Sequence, residues 1–136
     1  MPRKPKALVL DSWAALAYLG DEASAQAVAD LITNAHKNRV PMVMSVVNAG
    51  EVWYILSREI SEAQADSALT DLTGLGIELI DVDWPLTRVA GAFKARHKMS
   101  YADCFAAALA KDRQSELVTG DKEFKQVEGE ISIRWL

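Results

Sequence analysis

Short unbroken apolar runs alternate along this chain with longer stretches whose apolar positions recur every three or four residues. Ala7-Leu8-Val9-Leu10 is such a run, the signature of a strand buried on both faces. Ser12 to Leu19 predicts a helix starting directly after it. Ala27, Val28, Leu31, Ile32 and Ala35 keep helical spacing and predict a helix over Ala23 to Lys37. Val40 to Met44 reads as a second strand, and Ser45 to Arg58 as a helix. Ser61-Glu62-Ala63-Gln64 has the form of a capping box and opens a helix ending near Gly74 or Gly76. Ile77 to Ile80 is a third strand. Asp83-Trp84-Pro85 opens a helix to about Lys98, since proline is tolerated in the first turn. Ser100 starts another helix, to about Arg113, and short strands are expected over Leu117 to Thr119 and Ile131 to Arg134.

Strands separated by helices predict an α/β fold, with three α/β/α layers and a mostly parallel central sheet. No repeat, linker or low-complexity tract interrupts it. Residues 1–136 are therefore expected to form one domain, with residues 1–6 a flexible basic tail. Sites in such sheets form outside the carboxyl ends of the strands. Asp11 falls at one such end, Asp121 lies just past another, and Glu51 lies in the helix after the second strand.

The same pattern exposes an anomaly of charge. Asp11 is the only charged residue from Ala7 to Gly20, Glu51 from Met42 to Leu56, and Asp103 from Met99 to Ala110. Burying an ionised carboxylate without a partner costs several kcal/mol or raises its pKa until it neutralises. Structural accounts exist for most of them. Asp11 and Asp121 are good helix N-caps. Ser100-x-x-Asp103 resembles a capping box, although the helix it opens is apolar all round and should be buried. Glu51 sits mid-helix, where only a structural salt bridge would explain it. Asn48, one turn earlier, could orient Glu51 or a metal-bound water. Gly50 costs roughly 0.5–1 kcal/mol inside a helix, and close backbone approach or tight packing would explain it. Glu123 is expected to be exposed. Taken together, acids at separate strand ends are expected to converge on one site. Clustered carboxylates suit Mg²⁺ or Mn²⁺, which can activate water for in-line attack on a phosphodiester. Without metal they repel, and at least one pKa should rise.

Composition qualifies this picture. Fifteen basic and 19 acidic residues give a net charge of −4, which speaks against a nucleic-acid partner. The objection weakens if four acids hold metal, because the metal then faces the phosphate. Lys94, Arg96, His97 and Lys98 form a basic cluster before Ser100, either a solvated helix end or a set of phosphate contacts. His36 and His97 have no triad or metal spacing. The single cysteine, Cys104, excludes an intrachain disulfide and is expected in the core of a cytoplasmic protein. No apolar stretch suits a signal peptide or a membrane span. No glycine-rich phosphate loop is present. Trp13, Trp53, Trp84 and Trp135 are expected in the core or an interface rather than as base-stacking platforms.

Four segments carry a resemblance. Asp11-Ser12 after a buried strand, Ser45-x-x-Asn48-x-x-Glu51-Val52, Ser100-Tyr101-Ala102-Asp103 and Thr119-Gly120-Asp121-x-x-Phe124 are similar to the motifs of PIN-domain ribonucleases. The nearest likeness is to VapC-type toxins of type II toxin–antitoxin systems. The resemblance implies a PIN-like fold and a Mg²⁺- or Mn²⁺-dependent endoribonuclease that hydrolyses RNA. It implies that Asp11, Glu51, Asp103 and Asp121 are the catalytic metal site, with Ser12 and Asn48 near it and Thr119 supporting it. Glu123 stands where some relatives carry a further acid. A homodimer, inhibited by a cognate antitoxin through which the complex binds its promoter, is implied as well. Two alternatives remain open. One is a PIN-fold protein that binds RNA or a partner without cleaving. The other is an aspartate-nucleophile phosphoryl-transfer protein, which would need an acidic neighbour where Trp13 stands.

Overall fold

Alternation along the strands sorts their side chains into two cores, one on each face of a sheet. The computed structural model describes residues 6–136. Its strands are β1 (Leu8–Leu10), β2 (Met42–Ser45), β3 (Ile77–Ile80), β4 (Glu116–Thr119) and β5 (Ile133–Trp135). Its helices are α1 (Ser12–Leu19), α2 (Ala25–Lys37), α3 (Val46–Glu59), α4 (Glu62–Gly74), α5 (Trp84–Arg96) and α6 (Tyr101–Asp112), with a 3-10 helix over Lys122–Val127. Leu8, Leu10, Met42, Met44 and Val118 face a core completed by α1 to α4. Val9, Val43 and Leu117 face the opposite core, completed by α5, α6 and the 3-10 helix. This is the expected α/β/α sandwich.

The strands lie in the order β3-β2-β1-β4-β5. All pairs among the described residues are parallel, so the expected mostly parallel sheet is a fully parallel one. The chain builds outward from β1 through β2 to β3, then returns past β1 to add β4 and β5. The direction of growth reverses between β1 and β4, and a crevice opens at the carboxyl ends of strands on either side of such a reversal.

α6 packs closest to the sheet. Every residue from Asp103 to Ala110 is buried, and Ala106, Ala107, Ala108 and Ala110 let its backbone approach the strands. The N-caps follow the sequence: Asp11, Ser45, Ser61, Asp83, Ser100 and Asp121 each accept a backbone N–H from the turn they open. Boundaries differ where the backbone turns. His97 is extended, so α5 stops at Arg96 rather than near Lys98. β2 begins at Met42 rather than Val40. Pro41 has no N–H for the ladder, and only its carbonyl takes part, accepting from Leu8 N at 2.8 Å. None of the four tryptophans lies in the core: Trp13 and Trp53 are half-buried, and Trp84 is 70% exposed. Their indole bulk stops at the protein rim, where the N–H groups of Trp53 and Trp135 meet the carboxylates of Asp66 and Glu128. Of the expected basic tail, only Lys6 falls within the described residues. No helix among these is long and apolar enough to cross a membrane.

Candidate active site

Asp11 is fully buried at the reversal point. Its Oδ1 accepts the Ala14 N–H at 2.8 Å and caps α1. Its Oδ2 accepts the Thr119 hydroxyl, which in turn accepts the Asp121 N–H at 3.0 Å. Thr119 thus bridges the loop after β1 to the loop after β4. Burial dominates the electrostatics of Asp11. Loss of hydration outweighs both hydrogen bonds, and the Asp103 and Asp121 charges add to it, so the carboxyl rises from 3.8 to about 7.

Asn48 knots three elements together below the acids. Its amide donates to Ser12 Oγ at 3.2 Å and to the Ala102 carbonyl at 3.1 Å, while its Oδ1 accepts the Ser45 hydroxyl at 2.9 Å. Ser12 donates back to the Asn48 carbonyl at 3.2 Å. Every polar atom of the buried amide is engaged, and none reaches Glu51. Of the two roles expected of Asn48, no hydrogen bond to Glu51 is made; the side chain ties α1, α3 and α6 together. That tie carries Ala102, and with it the next residue, Asp103, toward Asp11.

Asp103 is nearly buried in the first turn of α6, but the cap there is Ser100, whose Oγ accepts the Asp103 N–H at 3.1 Å. The Asp103 carboxylate takes no part in capping. Desolvation, then the charge of Asp121, raises it to about 6, with Glu51 and Glu123 adding to the shift against the hydrogen bond from Ser100. Asp121 is half-buried and caps the 3-10 helix through the Glu123 N–H at 3.0 Å. Glu51 is half-buried on α3, and Glu123 is exposed, as expected. Gly50 faces open space, so close packing is not the reason for it.

Asp103 therefore feels Asp11, Asp121, Glu51 and Glu123 at once. The four sequence-derived acids thus lie near enough to one another, at the carboxyl end of the sheet, for their charges to interact. Among the described residues, however, no three acid, histidine or cysteine side chains stand close enough to form a ligand cage by themselves. The Asp103 carboxylate and the half-buried carboxylates of Asp121 and Glu51 are hard oxygen donors that fit Mg²⁺, which keeps several waters and is commonly held by one or two carboxylates plus substrate phosphate.

The basic cluster is largely engaged. Arg96 and His97 both contact Glu130, at 2.7 Å, and Lys94 donates to the Met99 carbonyl at 2.6 Å. Slight burial would raise Glu130, but the hydrogen bonds from His97 and Arg96 and their charges hold it below the usual range. Lys98 remains exposed, and its backbone is paired with the Gln126 side chain through both N–H and carbonyl, each at 3.1 Å. Gln126 was not visible in the sequence as a site residue. It joins the segment leading to Ser100 and Asp103 to the 3-10 helix that Asp121 opens, across a separation no local pattern reports. Trp13 was likewise undervalued: its ring rests on Gly120, next to Asp121.

Fold and site together define an α/β/α protein with an acidic centre at the reversal point of a parallel sheet. The chain belongs to the PIN domain family, whose pattern it matches over residues 8–130. Among solved structures it is similar to VapBC2 from Rickettsia felis bound to a promoter DNA fragment, with 19% identity, 94% of this chain and 97% of that chain covered, and a TM-score of 0.75. It is also similar to DNA-bound VapBC from Salmonella typhimurium, with 18% identity, 95% and 97% covered, and a TM-score of 0.73. A third is Mycobacterium tuberculosis VapC20, a sarcin-ricin loop cleaving toxin, with 20% identity, 89% and 95% covered, and a TM-score of 0.68. No curated protein matches the chain.

Proposed function

We propose that this protein is a Mg²⁺- or Mn²⁺-dependent endoribonuclease, the toxin of a toxin–antitoxin pair. What supports the reading is the charge coupling among Asp11, Asp103, Asp121 and Glu51 at the carboxyl end of the sheet, with two of their carboxyls pushed toward neutrality by burial and mutual repulsion. Such stored repulsion is relieved by a bound cation. The similarity to VapC20, an RNA-cleaving toxin, supports the substrate class, and the similarity to two VapBC assemblies supports an antitoxin partner. A homodimer in the cytoplasm completes the proposal.

In this reading Asp11 and Asp103 are the inner ligands, with Asp121 and Glu51 at the rim. A bound divalent ion would supply charge for the scissile phosphate and acidify a water. Thr119 and the Ala14 N–H hold Asp11 in one rotamer with a lone pair left on each oxygen. Ser100 caps α6 and so leaves the Asp103 carboxylate available. The Asn48 knot keeps the two acids in register. Arg96 is tied to Glu130, so Lys98 is the member of the basic cluster best placed to meet phosphate from solvent.

A second reading, a PIN-fold protein that binds without cleaving, draws on the absence of a tight three-ligand cage among the described residues. One experiment separates the two. Purified protein is incubated with tRNA, rRNA and mRNA in Mg²⁺, Mn²⁺ or EDTA, beside Asp103→Asn. The nuclease reading expects cleavage with metal, none in EDTA, and a loss of at least about a hundredfold in the variant. Full activity of folded Asp103→Asn would sink the assigned site, and binding without cleavage by the wild type would favour the second reading.

A further inference from the structure

Trp13 occupies the space where a side chain at position 120 would begin. A β-carbon built on Gly120 would overlap Cη2 of the indole and lie 2.5 and 2.7 Å from Cζ3 and Cζ2. Gly120 is not in the left-handed region that favours glycine, unlike Gly76. Its missing side chain is therefore explained by the ring and not by the backbone. Position 120, beside Asp121, is kept empty for an aromatic carried two residues after Asp11.

Trp13 nevertheless keeps part of its surface exposed. Trp53 and Trp135 donate their N–H groups to Asp66 and Glu128. Trp13 is half-buried, and its Nε1 donates to no acceptor among the described residues. No buried polar atom among them lacks a partner, so this N–H reaches solvent. A rigidly seated indole thus lies between the loops that carry Asp11 and Asp121, with its polar edge outward.

We propose that Trp13 is a specificity-determining platform that stacks one unpaired nucleobase flanking the scissile phosphate. The proposal rests on the nuclease reading above and names its substrate class as single-stranded RNA. Bases in a duplex are already stacked, whereas an unpaired base can be splayed onto an aromatic ring. Charge contacts here are few, because the site is acidic and Arg96, His97 and Lys94 already have partners, which leaves Lys98, exposed, as the remaining cation of the cluster. Stacking on an aromatic ring adds affinity for each base without needing a charge. The Gly120 seat fixes the ring in advance, which lowers the ordering cost of binding.

The test compares wild type, Trp13→Ala and Trp13→Phe, each checked for folding by circular dichroism. A random-sequence single-stranded RNA pool is digested with Mn²⁺ and the product ends are sequenced. Binding of a labelled 12-nucleotide RNA is followed by anisotropy in Ca²⁺, independently of cleavage. Trp13→Ala is expected to flatten the base preference at one position beside the cut. It should raise KM and the dissociation constant about tenfold or more with a smaller effect on kcat, and Trp13→Phe should recover most of both. An unchanged preference profile and KM in Trp13→Ala overturns the proposal while the nuclease reading stands. So does a loss confined to kcat, or one that Phe does not recover, which would mark Trp13 as structural. If the wild type binds but does not cleave, the nuclease reading falls and a platform beside a scissile phosphate falls with it. Absence of both binding and cleavage overturns both.

Discussion

Replacing Asp11 by Asn should stabilise the metal-free protein while abolishing its activity. The carboxyl is fully buried and its pKa is raised from 3.8 to about 7. The folded state therefore holds a proton that the unfolded state has released, between about pH 4 and 7, and stability falls as pH rises through that window. At about pH 8 the ionised Asp11 weighs against folding by about 4 kcal/mol, at 1.36 kcal/mol per unit. At about pH 5 the burden is only about 1–2 kcal/mol, because the native carboxyl is protonated. Asn removes this burden at every pH but offers one acceptor oxygen where Asp offers two, to the Ala14 N–H and the Thr119 hydroxyl. That loss costs about 1–2 kcal/mol. The net expectation is a gain of about 2–3 kcal/mol near pH 8 and almost none near pH 5. For a chain of 136 residues the gain corresponds to a rise in Tm of about 5–10 °C. The assay is thermal unfolding in EDTA at the two pH values, beside RNA cleavage in Mn²⁺. A variant that melts below wild type near pH 8, or whose advantage is the same at both pH values, would refute the claim that an ionised, desolvated Asp11 is the source.

Three further outcomes follow from the same geometry. Saturating Mn²⁺ should raise the wild-type Tm, by about 2.7 kcal/mol of added stability at a hundredfold excess over Kd, and should do so far less for Asp11→Asn; equal shifts in calorimetry would place the metal elsewhere. Asn48→Ala strands the Ser45 hydroxyl and the Ala102 carbonyl and should cost about 2–4 kcal/mol in urea unfolding, so a cost under about 0.5 kcal/mol would mean the knot is not structural. Gly120→Ala drives a methyl group into the Trp13 ring and should cost about 1–3 kcal/mol, a penalty that a Trp13→Ala background should largely erase in a double-mutant cycle; strict additivity would contradict the contact.

Much of the fold was legible because it is local. The short apolar runs became β1, β2 and most of β4, since a strand buried on both faces must be apolar at successive positions, whereas β3, at the sheet edge, leaves Glu78 exposed. The caps at Asp11, Ser61 and Ser100 were visible because a cap needs only its own turn. Asp11 and Asp103 stood out as lone charges in segments built for burial, and the structure buries both. The basic cluster misled in part, since Glu130, more than thirty residues away, engages Arg96 and His97. Gly50 suggested tight packing and faces open space instead.

Hydrophobic periodicity by itself determined which segments are buried, because burial is written in each segment's own residues; of the three lone acids it singled out, Asp11 and Asp103 are buried and Glu51 is half-buried. Tertiary structure decided everything that depends on which segments become neighbours. The sheet order sets β4 beside β1, so that Thr119 can reach Asp11 across 108 positions of sequence. It likewise lets Asn48 join Ser12 to Ala102, and it seats Trp13 on Gly120. Each of these contacts forms where the direction of sheet growth reverses, and only the fold fixes where that reversal falls.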